Sequence, residues 1–241
     1  MMQVRVLCFG VLKDWLGAPA ASVELPQGAT VAALVQQLAA RQPSALFKGI
    51  AVSVNAEYAT AEQVLRDGDE VGLLPPVSGG SAAEIAEQQG STVLTREAID
   101  ADAIVAAAKQ GEDGAVVVFD GIVRNNSRGR QTIHLDYEAY EEMAAKQMRE
   151  LALEARTSFA VRHVTVVHRL GRLQVGETSV LIVVAAAHRG PAFEACRWLI
   201  DTLKKTVPIW KRETFVDGAV WAAGEPFPAG RAVEPEAAHE A

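Results

Sequence analysis

The chain has 241 residues with a formal net charge of −7, an acidic balance that argues against nucleic acid as the main partner, which needs a basic face. Its two cysteines, Cys8 and Cys196, lie in separate apolar segments, too few for a disulfide framework or a Cys-based zinc site, and both are expected to pack in cores. Even the apolar run Thr178 to Ala187 stops at His188-Arg189, well short of the roughly 20 residues that cross a bilayer, and Met1-Met2-Gln3-Val4-Arg5 lacks a signal-peptide layout, so a cytoplasmic protein without membrane contact is expected.

Gln3 to Phe9 alternates apolar and polar residues as a half-buried strand does, and Ala21 to Leu25 offers a second strand after a turn around Gly17-Ala18-Pro19. Thr30 then caps a helical run in which Val31, Leu34, Val35 and Leu38 recur at three- and four-residue spacing, ending before Gln42-Pro43. Ile50 to Asn55 reads as a third strand, and Glu70 to Leu74 as a fourth after the Asp67-Gly68-Asp69 turn. This order implies a small mixed sheet with one helix packed across it.

Next comes Pro75-Pro76-Val77-Ser78-Gly79-Gly80, which reads like the end of a protein although the chain continues. Two glycines have little bulk and wide conformational freedom, so such a tail can thread a narrow pocket and present its last carbonyl; Gly, Ser and Pro equally mark interdomain linkers. Val4 to Phe9, Val52-Ser53-Val54-Asn55, Asp67-Gly68-Asp69-Glu70-Val71 and this terminus together resemble the ubiquitin-like, β-grasp sulfur carriers, most of all the small subunit of molybdopterin synthase. The resemblance implies that Gly80 is adenylated and converted to a thiocarboxylate. Here Gly80 is followed by Ser81, and a peptide carbonyl cannot yield a free thiocarboxylate unless the bond breaks, so on this chain itself the family chemistry requires cleavage after Gly80, the reading favoured over a separately encoded carrier or a fusion that serves only as a scaffold. Ser81 to Gly90 reads as a polar connector.

Beyond the connector, Ala98, Ile99, Ile104, Ala107 and Ala108 suggest a helix, and Ala115 to Val123 a strongly apolar strand interrupted by Asp120-Gly121. The cationic turn Arg124 to Arg130 leads to a strand over Gln131 to Tyr140 and an amphipathic helix over Glu141 to Thr157. Strands over Val161 to Leu170 and Thr178 to His188 are separated by Gly171 to Gly176. A last helix runs from Pro191 to Lys205, and Pro208 to Phe215 and Ala219 to Ala222 close the domain as short strands. The fold class is α+β, with a tail over 224–241 that reads as disordered from its Pro, Gly, Ala and Glu.

Cations stand at the ends of these elements: Arg124, His188-Arg189, Lys204 and Lys211. Arginine suits phosphate through its planar fork, and a crowded or desolvated lysine can move protons near neutral pH. Each also has a plain reading, as a solvated turn, a strand-end histidine or a favourable charge at a helix C-terminus. No spacing among them has metal-ligand character.

The motifs Phe119-Asp120-Gly121-Ile122-Val123-Arg124-Asn125-Asn126, Leu135-Asp136-Tyr137-Glu138-Ala139-Tyr140, His168-Arg169-Leu170-Gly171, Ala187-His188-Arg189 and Leu203 to Glu213 occur in order, and together they resemble the large, catalytic subunit of molybdopterin synthase. The resemblance implies a β-grasp carrier domain over 1–80, a linker over 81–91 and an α+β catalytic domain of α/β hammerhead type over 92–223. It further implies a sulfurtransferase that moves two sulfurs from the carrier's thiocarboxylate to cyclic pyranopterin monophosphate, forming the dithiolene of molybdopterin. Lys204, Lys211 and Gly80 would be catalytic. Arg124, His188 and Arg189 would hold the phosphate and polar edge, the Ile122-Val123 backbone would lie beside the substrate, and Arg212-Glu213 would complete the wall. No metal or redox cofactor is implied at this step. The partners implied are an adenylating and sulfurating activation enzyme (MoeB-like) and a second copy of the chain, paired through the C-terminal domain as a homodimer. The basic residue usual after Trp221 is missing, with Arg231 as a substitute. The competing functions are a sulfur carrier or ubiquitin-like modifier fused to a non-catalytic docking domain, and an unrelated phosphate-binding enzyme with an accessory first domain.

Overall fold

The computed structural model describes residues 1–16, 18–40, 49–75, 91–222 and 232–233. By contact it divides into two units, Met1–Val77 with Ala223–Ala241, and Ser78–Ala222. No helix among the described residues is long and apolar enough to cross a membrane.

In the first unit, the alternation expected at the start forms β1 (Met2–Cys8), whose Met2, Val4, Val6 and Cys8 are buried. Burial pushes the Cys8 thiol up to about 11, as befits a core cysteine. β2 (Ala20–Leu25) pairs antiparallel with it. The connection is more than the expected turn: α1 (Val11–Leu16) follows Gly10, whose φ is +52°, and anchors Leu12 in the core. α2 (Val31–Ala39) starts at Thr30, whose hydroxyl accepts the Ala33 amide at 3.3 Å, and buries Val31, Leu34, Val35 and Leu38 as their spacing requires. β3 (Ile50–Val54) and β5 (Glu70–Leu74) complete the sheet, β5 lying between β1, parallel to it, and β3. This is a β-grasp arrangement.

Two strands among the described residues of this unit were not legible in the sequence. β4 (Glu57–Ala59) returns onto β3 through Asn55-Ala56, both at positive φ, a tight hairpin whose second position lacks the customary glycine. β15 (Ala232–Val233) pairs antiparallel with Ile50-Ala51 of β3, so the tail expected to be disordered contributes a short strand; its other residues lie outside the described ones.

The second unit is built on two sheets. The first has the order β6 (Thr92–Thr95), β10 (His163–Arg169), β12 (Thr178–Ala186), β7 (Ala115–Ile122). Eight of the nine residues of β12 are buried because helices cover both faces. α4 (Glu141–Ser158) and α5 (Arg189–Thr206) pack on one face through Met148, Leu151, Ala195, Leu199 and Leu203, and α3 (Ala101–Ala108) covers Val167, Leu181 and Val183 on the other. The second sheet has the order β11 (Gly171–Gln174), β9 (Arg130–Ala139), β13 (Ile209–Phe215), β14 (Gly218–Trp221), with β8 (Asn126–Ser127) folded back on β9. The stretch read as a separator between strands is thus β11 itself: Gly171, at φ +78°, turns the chain out of one sheet and into the other. Asp120-Gly121 does not interrupt β7, whose pairing with β12 runs through both residues.

Candidate active site

The β7–β12 ladder fixes where the cations can go. It runs from Thr178 opposite Ile122 to Ala186 opposite Ala115, eight steps along β12, or about 26 Å at strand rise. Arg124 lies just beyond one end and His188-Arg189 just beyond the other. α5 starts at the second end, and its 18 residues return about 27 Å along the sheet. Midway, Cys196 meets the backbone of Phe119, at the middle of β7. The helix therefore delivers Lys204, exposed in its last turn, to the Arg124 end. β13 follows at once and places Lys211 opposite Tyr137 of β9. Within one chain, Arg124, Lys204 and Lys211 share an end, and His188-Arg189 does not join them. The sequence-based expectation of one gathering of cations is corrected accordingly: antiparallel pairing separates the two strand ends that carry them.

Lys211 is half-buried, and its ammonium lies 3.4 Å from a carboxylate oxygen of Glu213, itself buried. Two residues apart on a strand, they share a face with each other and with Tyr137 and Leu135 across the pairing. Arg212 falls on the opposite face, beside Asp136, so it does not form a wall with Lys211 and Glu213 in the same chain. Behind Lys211, the Tyr137 ring meets the ring of His168 edge-on at 5.4 Å. Burial raises the Tyr137 phenol above its usual range, and the nearby Glu213 charge adds to the effect against a hydrogen bond with Ser179. His168 is buried, donates from Nδ1 to the Arg169 carbonyl at 3.2 Å, and is pushed down to about 3 by desolvation, which keeps it neutral.

At the strand end, the Val123 amide donates to the Glu177 carbonyl at 3.0 Å and its carbonyl accepts from Gly176 at 2.8 Å. The Val123 backbone expected beside a ligand is therefore occupied by the neighbouring turn. Ile122, at 54% exposure, presents its side chain instead. Arg124 is exposed and has no ion-pair partner among the described residues.

The far end is organised differently. His188 occupies the N-cap of α5 with no side-chain capping bond, and His188, Arg189 and Gly190 are exposed. The positive end of the macrodipole, with the Arg189 and Gly190 amides, suits an anion, although Pro191 contributes no N–H. Behind them, Arg162 holds the 109–114 turn, bonding Asp113 through Nε at 2.8 Å and the Ala108 carbonyl at 2.6 Å. Gly114 lets that turn approach the strand: a Cβ there would stand 2.3 Å from the Ala187 carbonyl oxygen.

Gly80 and Arg231 lie outside the described residues. Among the described residues, no group of three or more His, Cys, Asp or Glu side chains is placed to hold a metal ion. Ser179 was not singled out from the sequence, where it reads only as a hydroxyl beside Thr178 at the start of an apolar run.

Residues 94–206 match the MoaE protein family, and residues 6–80 match the ThiS family. The molybdopterin synthase catalytic subunit of Pyrococcus abyssi is 42% identical over 135 residues, covering 56% of this chain and 91% of that protein. The human molybdopterin synthase catalytic subunit is 37% identical over 158 residues, covering 62% of this chain and 84% of that one. Among solved structures, the molybdopterin synthase of Staphylococcus aureus aligns with a TM-score of 0.52 at 35% identity, over 57% of this chain and 98% of that chain.

Proposed function

The chain belongs to the molybdopterin synthase catalytic subunit family through its second unit and carries a ThiS-family domain ahead of it, and from that premise we propose that it is a sulfurtransferase building the dithiolene of molybdopterin. Its substrate is cyclic pyranopterin monophosphate, and its donor is the thiocarboxylate of a carrier's terminal glycine. The carrier sulfur attacks a side-chain carbon and that carbon's C–O bond to the cyclic phosphate breaks, so the ester opens and the phosphate stays attached through its other oxygen. Water then hydrolyses the resulting thioester, leaving sulfur on the substrate and a carboxylate on the glycine; a second donor adds at the neighbouring carbonyl carbon, whose oxygen leaves as water, and a second hydrolysis frees the dithiolene. Lys204 and Lys211 stabilise the oxyanions and move protons at this centre, with Glu213 holding Lys211 in place.

The observation that supports this reading is the strand and helix order, which carries Lys204 and Lys211 toward the Arg124 end of the ladder and leaves His188-Arg189 at the other. A single protomer holds the lysines but lacks His188-Arg189 nearby. The site is completed when a second copy brings its α5 N-terminus, where open amides, His188 and Arg189 suit the substrate's phosphate. The chain therefore works as a homodimer with two shared sites. Gly80 acts as the donor only after cleavage before Ser81 and activation by a separate adenylating and sulfurating enzyme. The transfer needs no metal or redox cofactor, because the sulfur arrives already activated as a thiocarboxylate.

The test is to mix the chain with a thiocarboxylated 1–80 carrier and cyclic pyranopterin monophosphate and follow dithiolene formation by mass spectrometry. Product that disappears in Lys204→Ala and Lys211→Ala supports the proposal. Undiminished product in both variants would instead make the second unit a docking module.

A further inference from the structure

β3 is covered unevenly along its two edges. On one side β5 pairs with it from Ala51 to Val54. On the other, β4 pairs with Val52, Ser53 and Val54 and stops short of Ile50 and Ala51. Those two residues are fully buried, and backbone amides and carbonyls in such a place require partners. β15 supplies them from beyond the second unit: Ala232 pairs antiparallel with Ala51, and Val233 with Ile50. Pro228 and Pro235 stand on either side of this strand in the sequence, where a longer ladder would lose donors. By contact, Ala223–Ala241 groups with the first unit, although in the sequence it follows the second.

We propose that the Ile50–Ala51 edge of β3 is a docking site for the tail strand Ala232–Val233, and that this strand helps to keep the carrier with the catalytic fragment after cleavage. Retention rests on the cleavage and sulfur-transfer reading above; docking rests on the pairing alone. Hydrolysis of the Gly80–Ser81 bond consumes one water and leaves a carboxylate on Gly80 and an amine on Ser81, so the covalent link ahead of the second unit is lost. The carrier is then held at two places, its Gly80 terminus at the lysine-bearing end and its β3 edge on β15. A two-residue pairing is weak by itself, but two contacts between the same two fragments reinforce each other, because either re-forms while the other holds. Residues 222–231 join β14 to β15 and reach at most about 35 Å, which lets β15 stay paired while the Gly80 terminus leaves and returns.

The full chain, given a protease recognition sequence between Gly80 and Ser81, is cut, and release of the carrier on dilution is followed by native mass spectrometry. Ala232→Pro/Val233→Pro removes both strand amides, and Ala237→Pro/Ala238→Pro makes the same change further along the tail. Release should quicken by about tenfold in the first variant and stay within about twofold in the second. Neighbouring amides on a strand point to opposite edges, so one of the Ile50 and Ala51 amides faces β15. In the uncut chain its hydrogen exchange should quicken by about tenfold in Ala232→Pro/Val233→Pro, while slow exchange at Val6 and Val71 shows that the sheet persists. Release as slow as the parent's from Ala232→Pro/Val233→Pro, or unchanged exchange at both Ile50 and Ala51, would overturn the proposal. If the parent forms no dithiolene, the sulfur-transfer reading fails, and exchange at Ile50 and Ala51 still decides whether the tail docks.

Discussion

The two ends of the β7–β12 ladder carry the same kind of residue and treat it in opposite ways. At the Arg124 end, side chains are tied within the fold: Lys211 to Glu213, the Tyr137 ring edge-on to His168, and Ser179 to the Gly121 carbonyl. At the far end the ties lie in Arg162, Asp113 and Gly114, while His188 and Arg189 are exposed and have no ion-pair partner among the described residues. An end whose groups hold each other suits a reaction centre, where geometry must persist through the transition state. An end that is braced from behind and open in front suits delivery of its charges to another molecule. On the proposed reading, one fold supplies half a site at each end, and two copies would supply whole ones.

The largest effect expected from this contrast is at the lysines. Lys204→Ala and Lys211→Ala should each lower sulfur transfer by about 10²–10⁴-fold, with an unchanged melting temperature, because both side chains reach solvent and leave no cavity. A comparable drop in stability would show that the end is structural rather than chemical. Next are the glycines that shape each end. Gly114→Ala forces a methyl onto the Ala187 carbonyl, which is backbone, and should cost about 2–3 kcal/mol in urea unfolding; Gly121→Ala meets a Val180 methyl, which can yield, and should cost about 1 kcal/mol. Reversal of that order would contradict the assignment of the rigid brace to the His188 end.

Smaller effects sharpen the comparison through pH. The Arg162 guanidinium, by hydrogen bond above all, holds the Asp113 carboxyl below the usual carboxylate range. A depressed carboxyl stabilises the fold above its unfolded value and ceases to do so as pH falls through the folded one. Asp113→Asn should cost about 1–2 kcal/mol at neutral pH, discounted for the partial solvent contact of Arg162, and the gap from the parent should close below pH about 4. At the lysine end, His168 titrates near 3 when folded and near its ordinary value when unfolded, so the unfolded chain takes up the proton first. Stability present above pH about 6.5 is therefore lost as pH falls toward 3, by up to about 1.4 kcal/mol per unit. His168→Gln should remove about one proton from that slope in stability curves measured between pH 4 and 6; a parallel slope would mean that His168 is not the buried neutral group described.

Much of the fold was legible because its signals are local. The spacing of Val31, Leu34, Val35 and Leu38 and the Thr30 cap specify α2 without help from the rest of the chain. The apolar run at Ala115 predicts β7 for the same reason. β11 was missed because its four residues are a strand only by virtue of lying against β9, and β4 because Asn55-Ala56 turns tightly without a glycine. In the site, the residue types were readable and their separation was not: that His188 and Arg124 stand at opposite ends follows from antiparallel pairing, which no single segment encodes. Nor does alternation along β13, which turns Arg212 away from Lys211, follow from the presence of the motif; it needs the strand itself.

The most direct test mixes two inactive chains. Lys211→Ala loses the chemistry at one end, and Arg189→Ala loses the anion-holding charge at the other. Unfolded together and refolded, half of the dimers should be hybrids, each with one site assembled from the intact ends of both chains. The mixture should regain about a quarter of the parent's sulfur transfer. If hybrids form, as shown by capture through a tag on one chain, and the mixture stays as inactive as its components, then each site is contained within a single chain and the shared, two-chain site is refuted.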